Sequence, residues 1–121
     1  MLFNNAGISG RLLPMWDLSA ADARKLFEVN LFSHFTTIRE FVPAMIRNGR
    51  GHIVANCSIL GFLWGPKGTS YVSCKHAMTA SMECLKEDLR VAGAGEKVKV
   101  TVIYPSVTYT NMEEALQIQP K

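Results

Sequence analysis

The segment YVSCK sets a phenol, Tyr71, and an ammonium, Lys75, four residues apart. On a helix that spacing projects both side chains from one face. A neighbouring positive charge favours phenolate over phenol. It would draw the tyrosine from its ordinary pKa of about 10 toward working pH, where it can give or take a proton. The same pair also arises on any amphipathic face along which a lysine lies with its head in water. Ser58 precedes Tyr71 by thirteen residues. Its hydroxyl can hold a carbonyl or alcohol oxygen shared with Tyr71, or simply close a strand-to-loop turn. Asn30, in EVNLF, is an amide set among apolar residues. Burying it costs stability unless its hydrogen bonds are met, so it calls for a role such as anchoring a water or interrupting a helical ladder.

These groups need elements to position them. MLFN at 1–4 is a short apolar run followed by NNAG turn chemistry, the pattern of a buried strand. Beyond Gly10 and Pro14, Asp17 or Ser19 can cap a long helix with Asp22 in its first turn, where the helix dipole favours negative charge. Leu26, Val29, Phe32, Phe35 and Ile38 follow helical spacing. Pro43 is expected to bend or restart that helix, and NGRG at 48–51 to end it. GHIVANCS, 51–58, reads as a strand buried on both faces, with Ser58 at its carboxyl end. A second helix is expected from about Ser70, with Ala77, Met78, Ser81, Met82, Leu85 and Leu89 on its spacing and AGAG at 92–95 as its stop. KVKVTVIYP, 97–105, alternates Val98, Val100 and Val102 and closes at Pro105. EEALQIQPK at the end has weak pattern and reads as a frayed tail.

Strand, helix, strand, helix, strand, with crossovers this long, demands parallel pairing. The expected fold is α/β, part of a doubly wound, Rossmann-like parallel sheet in one domain over 1–121. Such sheets bind ligands outside the carboxyl ends of their strands, where Ser58 stands.

Composition narrows the function classes. A chain of 121 residues, 48% hydrophobic and 19% charged, is a globular domain and not a disordered tail. Its net charge of +3 is scattered, so no nucleic-acid footprint is expected. Cys57, Cys74 and Cys84 lack CxxC spacing and sit in apolar segments, as expected of buried, reduced thiols. His34, His52 and His76 show no paired ligand spacing, so no metal is assigned. No GxSxG elbow supports a hydrolase reading of Ser58 with a histidine and Asp88. No stretch of 18 apolar residues or signal-peptide pattern is present, so the chain as given reads as soluble. The methionines and phenylalanines, six of each, read mostly as core. Trp16 and Trp64 read as loop residues covering the core or a substrate entrance.

Taken together, these residues resemble the short-chain dehydrogenase/reductase superfamily. NNAG at Asn4 to Gly7, Asn30, Ser58, the step to Tyr71, Lys75, and Pro105 followed by Thr110 and Met112 fall in that family's order and spacing. The resemblance implies an Asn-Ser-Tyr-Lys tetrad that moves a hydride between NAD or NADP and a small-molecule alcohol or carbonyl substrate, with the cofactor preference open. By it, Tyr71 is the acid/base, Ser58 orients the substrate oxygen, and Lys75 binds the nicotinamide ribose and lowers the tyrosine pKa. Asn30 holds a relay water. Asn4, Ala6 and Gly7 line the adenosine-ribose side, and Pro105, Thr108 and Thr110 approach the nicotinamide and phosphates. The loop ILGFLWGP and strand GHIV look like the branch acting on retinoids and steroids, which implies a lipophilic substrate. In that branch a membrane anchor can precede the cofactor domain, so the resemblance implies a cytoplasmic place, or the cytosolic face of the endoplasmic reticulum or lipid droplet where such an anchor exists. A homodimer through the helix at 70–92 is expected, where Ser73, Ala77, Ala80 and Ser81 suit close packing.

Two departures stand out. Pro105-Ser106 replaces the family's Pro-Gly, putting a side chain where glycine's freedom is usual. The glycine-rich phosphate turn and the strands before NNAG are absent, so the chain matches the catalytic half of the sheet, about the middle half of a family member, and its first strand is expected at an exposed edge. The alternative reading is a catalytically inactive truncated remnant acting, if at all, as a protein-interaction module.

Overall fold

The computed structural model describes residues 1–108 and Met112; Thr110 and the segment EEALQIQPK lie outside the described residues. Three strands, β1 (Leu2–Asn4), β2 (Gly51–Asn56) and β3 (Val98–Ile103), form one parallel sheet in that order. Leu2 lies opposite Ile53, and Ile53 opposite Val100. The helices α1 (Ala20–Phe27) and α2 (Ser33–Arg47) cross from β1 to β2, and α3 (Thr69–Val91) crosses from β2 to β3. This is the expected α/β arrangement, with β1 at an edge and Phe3 exposed there.

All three helices cover one face of the sheet. Side chains alternate along a strand, so Leu2, Ile53, Val98 and Val100 point to the helices, where they pack with Val42 of α2 and Leu89 of α3. Nearer the carboxyl ends of the strands a second cluster joins Leu26, Leu31, Cys57, Cys74 and Met78. The opposite face carries Phe3, His52, Val54, Thr101 and Ile103; Phe3, Thr101 and Ile103 are exposed on it, while Val54 between Phe3 and Thr101 is buried. His52 Nε2 meets Thr101 Oγ1 across that face at 2.8 Å.

Local chemistry sets the element ends. Ser19, not Asp17, caps α1, its Oγ accepting from Asp22 N at 3.1 Å. Asp17 belongs instead to a short turn, Met15–Asp17. Gly49 takes φ +65° just after α2, the left-handed step that NGRG supplies. Pro43 does not restart the helix: it sits inside α2, which runs on to Arg47.

The long first helix is not one regular helix. Between α1 and α2 lies a π turn, Glu28–Phe32, with Asn30 at its middle. A π turn holds about one residue more than an α turn, so every side chain after it is rotated by about 100° from regular helical spacing. The inward row is therefore Leu26, Asn30, His34, Ile38 and Val42, in steps of four, while Phe32 and Phe35 face outward. The reading of phenylalanine as mostly core fails for this reason here, and more widely: Phe3, Phe41 and Phe62 are also exposed, as are Met1 and Met15. Trp16 and Trp64 are both strongly exposed, so neither covers the core. Cys57 and Cys74 are buried as expected, whereas Cys84 faces out from α3. No helix among the described residues is long and apolar enough to cross a membrane.

Candidate active site

The carboxyl ends of the strands, with the helix that follows β2, bring Ser58, Tyr71 and Lys75 together. Past β2 the chain keeps pairing with the end of β3: Cys57 N donates to Ile103 O at 2.8 Å and Ile59 N to Pro105 O at 3.0 Å. Ser58 is thus pinned between two strand ends. Its Oγ accepts from Leu60 N at 3.2 Å, which opens the short turn Ile59–Gly61 and leaves the hydroxyl hydrogen free to donate elsewhere. So the turn-closing role and the functional one are compatible.

Tyr71 and Lys75 occupy one face of the first turns of α3, and the Lys75 ammonium lies 5.3 Å from the Tyr71 ring centroid. Lys75 is 4% exposed, and its Nζ reaches Asn56 O at 3.4 Å. Burial depresses the lysine pKa, with the thiols of Cys57 and Cys74 acting the other way. The expected lowering of the tyrosine pKa is not found. Burial pushes the Tyr71 phenol above its ordinary value, the Ser58 hydroxyl draws it partly back, and Cys57 and Cys74 add to the rise. Desolvation disfavours both charged forms, phenolate and ammonium, and is the largest cause of each shift. At neutral pH Tyr71 is therefore a protonated phenol. The Cys74 thiol beside them is pushed up to about 11, so it stays neutral as well.

Asn30 is fully buried and its amide is spent on one partner. Oδ1 accepts from Ile8 N at 2.7 Å and Nδ2 donates to Ile8 O at 2.7 Å. The side chain clamps the loop after β1 to the π turn. Both readings of Asn30 drawn from the sequence turn on the same feature, and the interrupted helical ladder is present. Replacing Asn30 by Ala removes two bonds and strands both polar groups of Ile8; the expected cost is about 2–4 kcal/mol in urea unfolding. An unchanged midpoint would show that the clamp carries no weight.

The turn residues are placed unevenly. Asn4 is turned inward, with Oδ1 accepting from Thr37 Oγ1 at 2.7 Å, so only the backbone of that turn faces outward at this position. Ala6 is exposed and Gly7 half-buried. Pro105 and Thr108 are exposed, and Thr108 Oγ1 donates to Ser106 O at 3.1 Å. Ser106 does not adopt positive φ, so its side chain is accommodated without strain. Sequence reasoning passed over Asn56. Its carbonyl meets Lys75, and its Nδ2 donates to Asn5 Oδ1 at 2.8 Å. An amide closing an otherwise apolar strand was the available signal.

Comparison with known proteins bears on the family of the chain. A sequence model described as short chain dehydrogenase matches residues 1–121. Dehydrogenase RED3 of Cochliobolus heterostrophus is 38% identical over 101 residues, covering 84% of this chain and 51% of its own length. A 1-deoxy-11-beta-hydroxypentalenate dehydrogenase of Streptomyces exfoliatus is 35% identical, covering 93% of this chain and 40% of itself. The crystal structure of a short chain dehydrogenase/reductase from Burkholderia phymatum in complex with NAD superposes with a TM-score of 0.87 at 33% identity, over 99% of this chain and 42% of that one. The chain thus spans about half or less of the length of these relatives.

Proposed function

This chain belongs to the short-chain dehydrogenase family, and on that premise we propose that it carries the acid/base centre of an oxidoreductase passing a hydride between NAD or NADP and an alcohol or carbonyl carbon. The observation that carries the reading is the convergence of the Ser58 hydroxyl, the Tyr71 phenol and the buried Lys75 ammonium beyond the ends of the strands. Tyr71 gives its proton to a carbonyl oxygen during reduction and takes it back during oxidation. Ser58 holds that oxygen with the hydroxyl hydrogen its turn leaves free. Convergence of this kind disfavours a silent remnant.

The Lys75 ammonium fits a cofactor ribose. It has three donors and one long bond to a backbone carbonyl, so hydroxyls placed beside it would complete its hydrogen bonding. A nicotinamide bound there would supply the hydride. The turn at Asn4, Ala6 and Gly7 would face the adenosine side, and Pro105 and Thr108 the nicotinamide side; Thr110, outside the described residues, is proposed there on the family resemblance alone. Asn30 would support a relay water through its backbone. The substrate is proposed to be lipophilic, as the pentalenate relative suggests. The run Ile59 to Pro66 carries no charge, and its Phe62 packs on Tyr104 at 4.4 Å between ring centroids, with Ile59, Leu63 and Trp64 exposed nearby. Homodimerisation through α3 is proposed on the outward row Ser73, Ala80 and Cys84.

The test is titration of the chain with NADH and NADPH, following nicotinamide fluorescence, with circular dichroism on the same sample. Saturable enhancement with at least one of them is expected. A folded chain that leaves both signals unchanged up to about 1 mM, the upper end of ordinary cofactor affinities, would remove the cofactor from this reading.

A further inference from the structure

Ser58 and Tyr71 lie on different elements, and a small set of contacts decides how they meet. Cys57 Sγ donates to Lys75 O at 3.4 Å and lies 3.6 Å from Thr79 Oγ1, which itself donates to Lys75 O at 3.0 Å. Gly61 N donates to Ser58 O at 2.8 Å, closing the turn. His76 Nδ1 lies 3.1 Å from Gly61 O. A carbonyl only accepts, so Nδ1 carries the proton in this bond. Gly61 also marks how closely the turn sits on α3. A Cβ there would stand 2.5 Å from Thr79 Oγ1, 3.1 Å from Cys57 Sγ and 3.2 Å from Lys75 O. The turn bearing one hydroxyl is thus seated directly on the helix bearing the other.

We propose that His76 is a positioning residue: with Cys57, Gly61 and Thr79 it latches the turn at 58–61 onto α3 and so holds the Ser58 hydroxyl against the Tyr71 phenol. The catalytic meaning of the latch rests on the function proposed above, but its physical effect does not require cofactor or turnover. Losing the His76 bond frees the Gly61 carbonyl, lets the turn lift, and weakens the hydroxyl contact that now draws the phenol pKa down. Replacing His76 by Asn retains a donor amide on a short side chain, the conservative rescue.

The test is ¹³Cζ NMR of tyrosine-labelled chain, titrated from pH 8 upward, with Tyr71 assigned among the three tyrosines by Tyr71→Phe. Ser58→Ala sets the scale by removing the hydroxyl outright. His76→Ala is expected to raise the Tyr71 titration by at least half the Ser58→Ala shift, and His76→Asn is expected to restore it. Gly61→Ala, which forces the turn off α3, is expected to move it in the same direction and serves if His76→Ala does not fold. If Ser58→Ala shifts Tyr71 but the folded latch variants do not, the latch is wrong and the catalytic pairing survives. If Ser58→Ala itself shifts nothing, the pairing of Ser58 with Tyr71 falls and takes the latch with it.

Discussion

Exchange of Tyr71 for Phe is expected to lower turnover by two to four orders of magnitude, the usual contribution of a positioned general acid or base, while leaving nicotinamide cofactor binding in place. The substitution deletes one oxygen and nothing else from a half-buried ring that packs against Leu26, Met78 and their neighbours. The ring would keep its seat, and the ammonium of Lys75 would keep its position over it. What disappears is the phenol hydroxyl that meets the Ser58 hydroxyl. Single-turnover kinetics with a test alcohol or ketone, alongside cofactor titration, separates the two effects. Full activity in the variant would end the acid/base assignment; lost cofactor binding would move the role of Tyr71 from chemistry to architecture.

The second large effect concerns Lys75 and runs in opposite directions for activity and for stability. A buried ammonium whose hydrogen bonding rests on a 3.4 Å contact is poorly compensated for lost hydration. Lys75→Met keeps the volume of the stem and removes the charge. It is expected to stabilise the chain, by about 1 kcal/mol or more in denaturant unfolding, because the desolvation that depresses the lysine pKa is relieved. Activity is expected to fall by both routes, with weaker cofactor binding and slower chemistry, each about tenfold or more, as for a lost charge-assisted hydrogen bond. Lys75→Arg is not expected to rescue, since a planar guanidinium does not fit a site closed around an ammonium. A destabilised Lys75→Met chain with normal cofactor affinity would contradict both halves.

Much of this was legible from residue types. Parallel topology followed from crossover length, and Ser58 was placed at a strand's carboxyl end from turn signals alone. Asn30 drew notice as an amide among apolar neighbours, and the π turn around it is why. That same turn hid the correct helix face. A reader applying one period across residues 26–38 puts Phe32 and Phe35 inside, because the extra residue at the turn is invisible until the backbone bonds are seen. The tyrosine pKa was misjudged for a different reason. Spacing shows that a phenol and an ammonium are neighbours; it does not show how dry their surroundings are, and desolvation decided the sign. Gly61 and His76 were unreadable as a pair, since only the docked turn brings them within 3.1 Å.

The uncovered face of the sheet has a thermodynamic signature of its own. Parallel sheets usually lie between two layers, and here Phe3, Thr101 and Ile103 already meet solvent before unfolding begins. Apolar hydration is what gives unfolding its positive heat capacity change, ordinarily about 12–15 cal/mol/K per residue. A single-layered sheet releases less of it. For residues 1–108 taken by themselves, calorimetry and urea unfolding are expected to give a flatter stability curve and a shallower denaturant slope than a two-layered domain of equal length.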